Sequence, residues 1–176
     1  HLRERFRDGV WWIDLAPLTE PIQVAPTVAA ALQLGRAADG STAQQLVRAL
    51  AGQVSLLVLD NCEPVIDATA ALVESLLEGA PGVHLLVTSQ EPLHISAERV
   101  WRVDPLALPA IGQPALGGDF GAVQLFAERV RSADPRFVLD HANADTVADI
   151  CRRLDGMPLA IELAAEVPEG RVRLVD

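Results

Sequence analysis

Ser55-Leu56-Leu57-Val58-Leu59-Asp60-Asn61-Cys62-Glu63 is the stretch on which the reading of this chain turns. From Val54 to Leu59 the run is almost wholly apolar, and it ends abruptly in Asp60-Asn61. Apolar residues without polar alternation fit a parallel strand buried on both faces. The carboxyl ends of such strands are where open α/β sheets present their chemistry. A hard cation such as Mg²⁺ takes oxygen ligands, so a carboxylate fixed at a strand exit is a natural ligand. Asp60 is the candidate, with Asn61 beside it. The alternative is a strand that simply stops at two residues that favour turns. Glu63 has two readings as well: a group that polarises an attacking water, or an acidic residue favoured in a helix's first turn by the helix dipole.

Working outward, the pattern around this strand is that of a parallel α/β sheet. Upstream, Leu2 to Arg7 reads as the tail of a helix, and Gly9 releases the chain into a strand, Val10-Trp11-Trp12-Ile13, that ends at Asp14. Pro21 to Leu34 has roughly helical spacing, with Pro near its start and Gly35 as a stop. After an Ala-Asp-Gly turn, Ser41 or Thr42 caps a helix running to Leu50. Downstream, a helix is expected from about Pro64 to Leu77, closed by Gly79 and the Pro81-Gly82 turn. A second buried strand, Val83 to Val87, then exits into Thr88-Ser89-Gln90. Those three polar residues either contact a terminal phosphate or merely begin a loop. Arg99 to Val103 is read as a last short strand.

Pro105, Pro109, Gly112, Pro114, Gly117 and Gly118 then punctuate the chain. The expected division is an α/β core over 1–108, a linker over 109–118 and a helical subdomain over 119–176. Within the last, Phe120 to Val130 and Ala144 to Leu154 carry apolar residues at helical spacing. Gly156-Met157-Pro158 breaks the pattern before a helix from Leu159 to Ala165, with Pro158 near its first turn. The stretch from Glu166 onward supports no assignment.

Composition excludes several functions. All 14 basic residues are arginine, and against 24 acidic residues they leave a formal net charge of −10, which opposes non-specific binding to nucleic acid. Cys62 and Cys151 are the two cysteines and have no paired-Cys or Cys/His spacing, so neither a zinc site nor a disulfide framework is expected. A reducing, cytoplasmic setting follows as an expectation. No apolar run approaches the roughly 20 residues of a membrane span. His84 and His94 have no partners at ligand or triad spacing, and no nucleophile elbow or dinucleotide-binding glycine loop is present. The start, without an initiator Met, reads as cut from a longer polypeptide.

Taken in order, "GVWWIDLAPLTEP", "LLVLDNCEPVID", "HLLVTSQEPLHISAERVWRVDPLALP", "AVQLFAERV" and "CRRLDGMPLAIELAA" resemble the NB-ARC-like STAND ATPases of bacterial transcriptional regulators, including LuxR-type and winged-helix activators. These are AAA+-related P-loop proteins. The resemblance runs from residue 1 to about 165 and implies a P-loop NTPase-like core followed by a small helical subdomain. By it, Asp60 matches the Walker B aspartate, and Thr88 and Ser89 match the sensor-1 Thr/Ser. Gly156 and Pro158 belong to the Gly-Leu-Pro motif, whose proline packs near the adenine and ribose; Met157 replaces its Leu. Gln90 stands where the family generally has Arg, and a neutral amide cannot stabilise phosphate charge as a guanidinium does.

The same resemblance implies a strand and a Gly-rich loop ending in Lys-Ser/Thr upstream of the first helix. This chain contains no Lys, so the core is missing its first strand and its phosphate-binding loop. The expected function is therefore that of a fragment of an ATP/ADP-dependent signalling switch. The intact parent would use ATP/ADP with Mg²⁺ and act as a slow ATPase, whereas this chain alone is expected to be inactive. The alternative is a nucleotide-free interaction scaffold derived from such a domain. The expected partners are the other domains of the regulator, with no nucleic acid or membrane contacted directly. The missing strand would lie between the strands starting at Val83 and Arg99. Two consequences are open: those strands pair directly, or an exposed edge pairs with another copy.

Overall fold

The computed structural model describes residues 2–35 and 40–166 of the 176-residue chain. The turn expected at 38–40 falls largely outside them, as do residues 167–176. The chain divides into two compact units, His1–Val100 and Trp101–Asp176.

The first unit is built on three parallel strands, β1 (Val10–Asp14), β2 (Ser55–Asp60) and β3 (Val83–Val87), in the order β1-β2-β3. β2 is central, and every residue from Ser55 to Leu59 is buried, as its unbroken apolar run requires. The register places Asp14 beside Asp60 and Val87 beside Leu59, so all three strands end at the same level.

Between the strands run α2 (Val24–Ala31), α3 (Thr42–Leu50) and α4 (Ile66–Gly79). They pack on one face of the sheet. Ile13, Leu57 and Leu59 from the strands meet Val28, Leu46 and Leu76 from the helices in a core from which water is excluded. Local chemistry sets the helix boundaries. Ser41 caps α3, its Oγ accepting the Gln44 N–H at 3.2 Å. Pro21 and Pro64 each open a single 3-10 turn, Pro21–Gln23 and Glu63–Val65, ahead of α2 and α4.

The opposite face has little cover. Phe6, just past the short helix α1 (Leu2–Arg5), packs with Leu56 and Val58, but Trp12 and Leu86 in the same row are 66% and 54% exposed. β3 therefore departs from the two-face burial expected of it. Among the described residues it is an edge strand; on its outer face the Phe6 ring meets His84 edge-on at 5.2 Å, and Leu86 is exposed.

Three further expectations are corrected. Arg99 to Val103 forms no strand: Val100, Trp101 and Val103 are 67%, 88% and 87% exposed and join no ladder. A strand needs a neighbour to bond its backbone, and this segment has none among the described residues. The direct pairing anticipated between it and β3 is accordingly absent among the described residues. The helix expected to reach Leu34 stops at Ala31. There Gln33 takes φ 57°, and the Leu34 N–H bonds back to the Ala29 carbonyl at 2.9 Å, so the chain turns before Gly35.

The second unit contains α5 (Gly121–Ala133), α6 (Ala144–Arg153) and α7 (Pro158–Ala165), packed around Val123, Phe126, Val147, Cys151 and Ile161. Burial pushes the Cys151 thiol up to about 11. The Pro-rich stretch ahead of α5 is bonded to these helices. Leu106 N–H reaches the Gly156 carbonyl at 2.9 Å, and Arg152 Nη1 reaches the Pro109 carbonyl at 3.2 Å.

The one-sided core sets the sensitivity to substitution. Leu59→Ala, at a fully buried position, is expected to lower stability by about 3 kcal/mol, and Leu86→Ala on the uncovered face by less than about 1 kcal/mol. Urea denaturation followed by far-UV circular dichroism would measure both.

Candidate functional site at the strand exits

The three strands end level, and alternation along each strand puts Asp14, Asp60 and Thr88 on the same side of the sheet. Asp60 is the centre of this row because β2 is the centre of the sheet. Its carbonyl accepts the Leu15 N–H at 2.8 Å, which ties the exit of β2 to that of β1. On the other side, the Thr88 N–H donates to the Leu59 carbonyl at 3.0 Å, continuing the β3 pairing by one residue.

From there the two loops after β2 and β3 are bonded residue against residue. The Thr88 hydroxyl donates to Asp60 Oδ1 at 2.5 Å and accepts the Asn61 N–H at 3.0 Å. Asn61 has φ 56°, a left-handed conformation that Asn tolerates, and this turns the chain so that its N–H meets the hydroxyl. The Cys62 N–H then donates to the Thr88 carbonyl at 3.2 Å. Glu63 Oε1 accepts the Gln90 N–H at 2.9 Å, and the Ser89 hydroxyl accepts the Glu91 N–H at 3.2 Å. Burial pushes the Cys62 thiol up from its ordinary range, while a hydrogen bond to Ser89 works in the opposite direction.

Of the residues singled out in the sequence, Asp60, Asn61, Glu63, Thr88, Ser89 and Gln90 thus stand together in the first unit. Asp60 is partly buried; Asn61 and the three residues after β3 are exposed. One Glu63 oxygen is taken up by the clasp to Gln90. Two features of the network escape sequence reading. Asp14 aligns with Asp60 only through strand register, and the double role of the Thr88 hydroxyl depends on the Asn61 backbone turn. Among the described residues no three His, Cys, Asp or Glu side chains stand close enough together to hold a metal ion.

Gly156 and Pro158 lie in the second unit. Asp155 and Gly156 both have positive φ, 51° and 69°, and close the end of α6 through bonds from their N–H groups to the Arg152 and Cys151 carbonyls. A Cβ on Gly156 would sit 2.5 Å from the Leu106 carbonyl oxygen, so glycine is required both by the turn and by the close approach of the Leu106 backbone. Pro158 is exposed at the first position of α7, where its missing N–H costs nothing.

No family model matches the chain. It is 44% identical over 159 residues to a protein of Mycobacterium tuberculosis described as a "Putative HTH-type transcriptional regulator"; the match covers 90% of this chain and 17% of that protein. A Mycobacterium bovis protein of the same description matches equally. An uncharacterized protein of Mycobacterium tuberculosis is 39% identical over 164 residues, covering 93% of this chain and 39% of its own length. The chain therefore spans about a sixth of the length of the first relatives and is similar to one part of longer bacterial proteins. No described helix is long and apolar enough to cross a membrane.

Two substitutions separate the roles of these residues. Thr88→Val keeps the shape but leaves the exposed Asn61 N–H and the Asp60 carboxylate to water, and is expected to cost about 1 kcal/mol by chemical denaturation. Gly156→Ala meets both a backbone clash and positive φ, and is expected to destabilise the helical unit by at least about 1 kcal/mol in the same assay.

Proposed function

We infer that this chain is the cation-side portion of a STAND-type nucleotide switch within a cytoplasmic bacterial transcriptional regulator. The observation that carries this reading is Asp60 at the exit of the central strand, hydrogen-bonded to Thr88 at the exit of the next. That is the juxtaposition the sequence resemblance implies for a Walker B aspartate and a sensor-1 residue. The similarity to part of a mycobacterial protein described as an HTH-type transcriptional regulator supports the regulatory setting. The DNA-binding output would lie elsewhere in such a polypeptide, since this portion carries a net charge of −10.

The residues present fit only half of a Mg²⁺-nucleotide site. Mg²⁺ is commonly held by one or two carboxylates together with substrate phosphates, and Asp60 fits the carboxylate role. The phosphate half does not fit: the chain has no lysine, and neutral Gln90 follows Ser89. No hydrolytic step is therefore assigned to this chain. In the intact protein, ATP/ADP exchange would bias the helical unit between two arrangements, with Pro158 as its contact to the nucleotide. The partners are the remaining domains of the polypeptide and, through an open sheet edge, a second copy.

A specific observation also favours the scaffold reading. Asp60 and the Asn61 N–H are bonded to Thr88, and Glu63 to the Gln90 N–H, so these polar groups have partners within the protein.

Calorimetric titration of MgATP and MgADP into this chain, into its Asp60→Ala variant and into a polypeptide extended upstream distinguishes these readings. The switch reading predicts no binding to this chain up to about 1 mM, and binding to the extended polypeptide that Asp60→Ala weakens at least about tenfold. Micromolar binding by this chain, abolished by Asp60→Ala, would overturn the claim that its phosphate half is absent. Failure of the extended polypeptide to bind leaves the scaffold reading.

A further inference from the structure

Glu63 opens the 3-10 turn ahead of α4, a place where the helix dipole alone favours an acidic residue. Its carboxylate is nevertheless directed at the neighbouring loop, where Oε1 accepts the Gln90 N–H at 2.9 Å. The residue before it is anchored to the same loop. Cys62 is fully buried, and its N–H donates to the Thr88 carbonyl at 3.2 Å. Glu63, half-buried, therefore reaches Gln90 from a fixed base.

The loop after β3 is held unevenly. Thr88 is bonded to Leu59, Asp60, Asn61 and Cys62. From Ser89 to Glu91, by contrast, the backbone is held from outside by one bond among the described residues, the one from Gln90 to Glu63; the Glu91 N–H is bonded within the loop, to Ser89 Oγ. Asp60 and Glu63 thus divide the segment between them, Asp60 addressing Thr88 at the strand end and Glu63 the residue two positions on. One anchor fixes where a segment starts, and a second fixes the direction it takes. None of the Thr88 bonds involves Glu63, so loss of the outer anchor leaves the inner one in place.

We propose that Glu63 is a positioning residue: by holding the Gln90 N–H it sets the course of Ser89 and Gln90, the residues beside Thr88 that would meet the terminal phosphate of a nucleoside triphosphate. The inference rests on the switch reading for its ligand and on the Glu63–Gln90 bond for its geometry. The chemistry separates this role from activation of water. An N–H needs only an acceptor, which the side-chain oxygen of glutamine also supplies. Proton abstraction from water needs the carboxylate itself.

Two comparisons of Glu63→Ala with Glu63→Gln test it. In this chain without nucleotide, residue-resolved amide exchange is expected to be at least about tenfold faster at Gln90 in Glu63→Ala and close to wild type in Glu63→Gln, with the β2 amides unchanged in both. A Gln90 amide no faster in Glu63→Ala overturns the proposal. So does an equal acceleration of the β2 amides, which would mark a general loss of stability. In the polypeptide extended upstream, calorimetry is expected to show Glu63→Ala weakening MgATP about tenfold and MgADP less than about threefold, with Glu63→Gln restoring MgATP binding. Equal losses for both nucleotides, or a Glu63→Gln variant as weak as Glu63→Ala, overturn it. If the unsubstituted extended polypeptide binds neither nucleotide, the switch reading falls and the phosphate role with it, and the exchange comparison alone decides whether Glu63 holds the loop.

Discussion

The burial of β2 on both faces, with a hydrogen-bonded neighbour on each side, is the constraint on which the first unit depends. A backbone surrounded by apolar side chains must find all its hydrogen bonds within the protein, and β1 and β3 supply them in register. The same register brings the three strand ends level. Asp60 is therefore fixed in position by the packing of Leu57 and Leu59 several ångströms away, and only then refined by Thr88. Core and candidate site are two ends of one strand.

Much of this was legible in the sequence because the signals are local. The unbroken run from Val54 to Leu59 announces a central parallel strand, and the polar residues directly after it announce an exit. Ser41 as a cap, and Pro158 opening the last helix, follow from the chemistry of helix ends. The failures share a different cause. Arg99 to Val103 has strand composition, but strand formation depends on a neighbour that composition cannot supply. β3 reads as buried because its residues are apolar, whereas its exposure depends on which face the helices cover. Gln33, not Gly35, turns the chain after α2, where an ordinary residue adopts the left-handed conformation.

At the strand exits, sequence order singles out polar residues but not the hydrogen bonds between them. Glu63 is read from sequence as either a catalytic group or a first-turn acid, and the structure ties one of its oxygens to the Gln90 N–H, joining the two loops. Gly156 is read as part of a nucleotide-contact motif, and it also solves a local packing problem beside Leu106. These bonds give the loops after β2 and β3 a common framework, so a displacement of one is communicated to the other through side-chain contacts. The Asp60–Thr88 and Glu63–Gln90 bonds thereby link the positions of the two strand exits.

The central claim is that the β2 exit is a fixed structural element, with Asp60 and Asn61 locked to Thr88. Amide hydrogen exchange resolved by residue tests it most directly. The account predicts that the β2 amides are the most protected in the first unit, and that the exposed Asn61 exchanges far more slowly than an unstructured residue because its N–H is bonded to Thr88 Oγ1. An Asn61 amide exchanging at the rate of a free peptide, beside protected β2 amides, would contradict the clasp and with it the placement of Asp60.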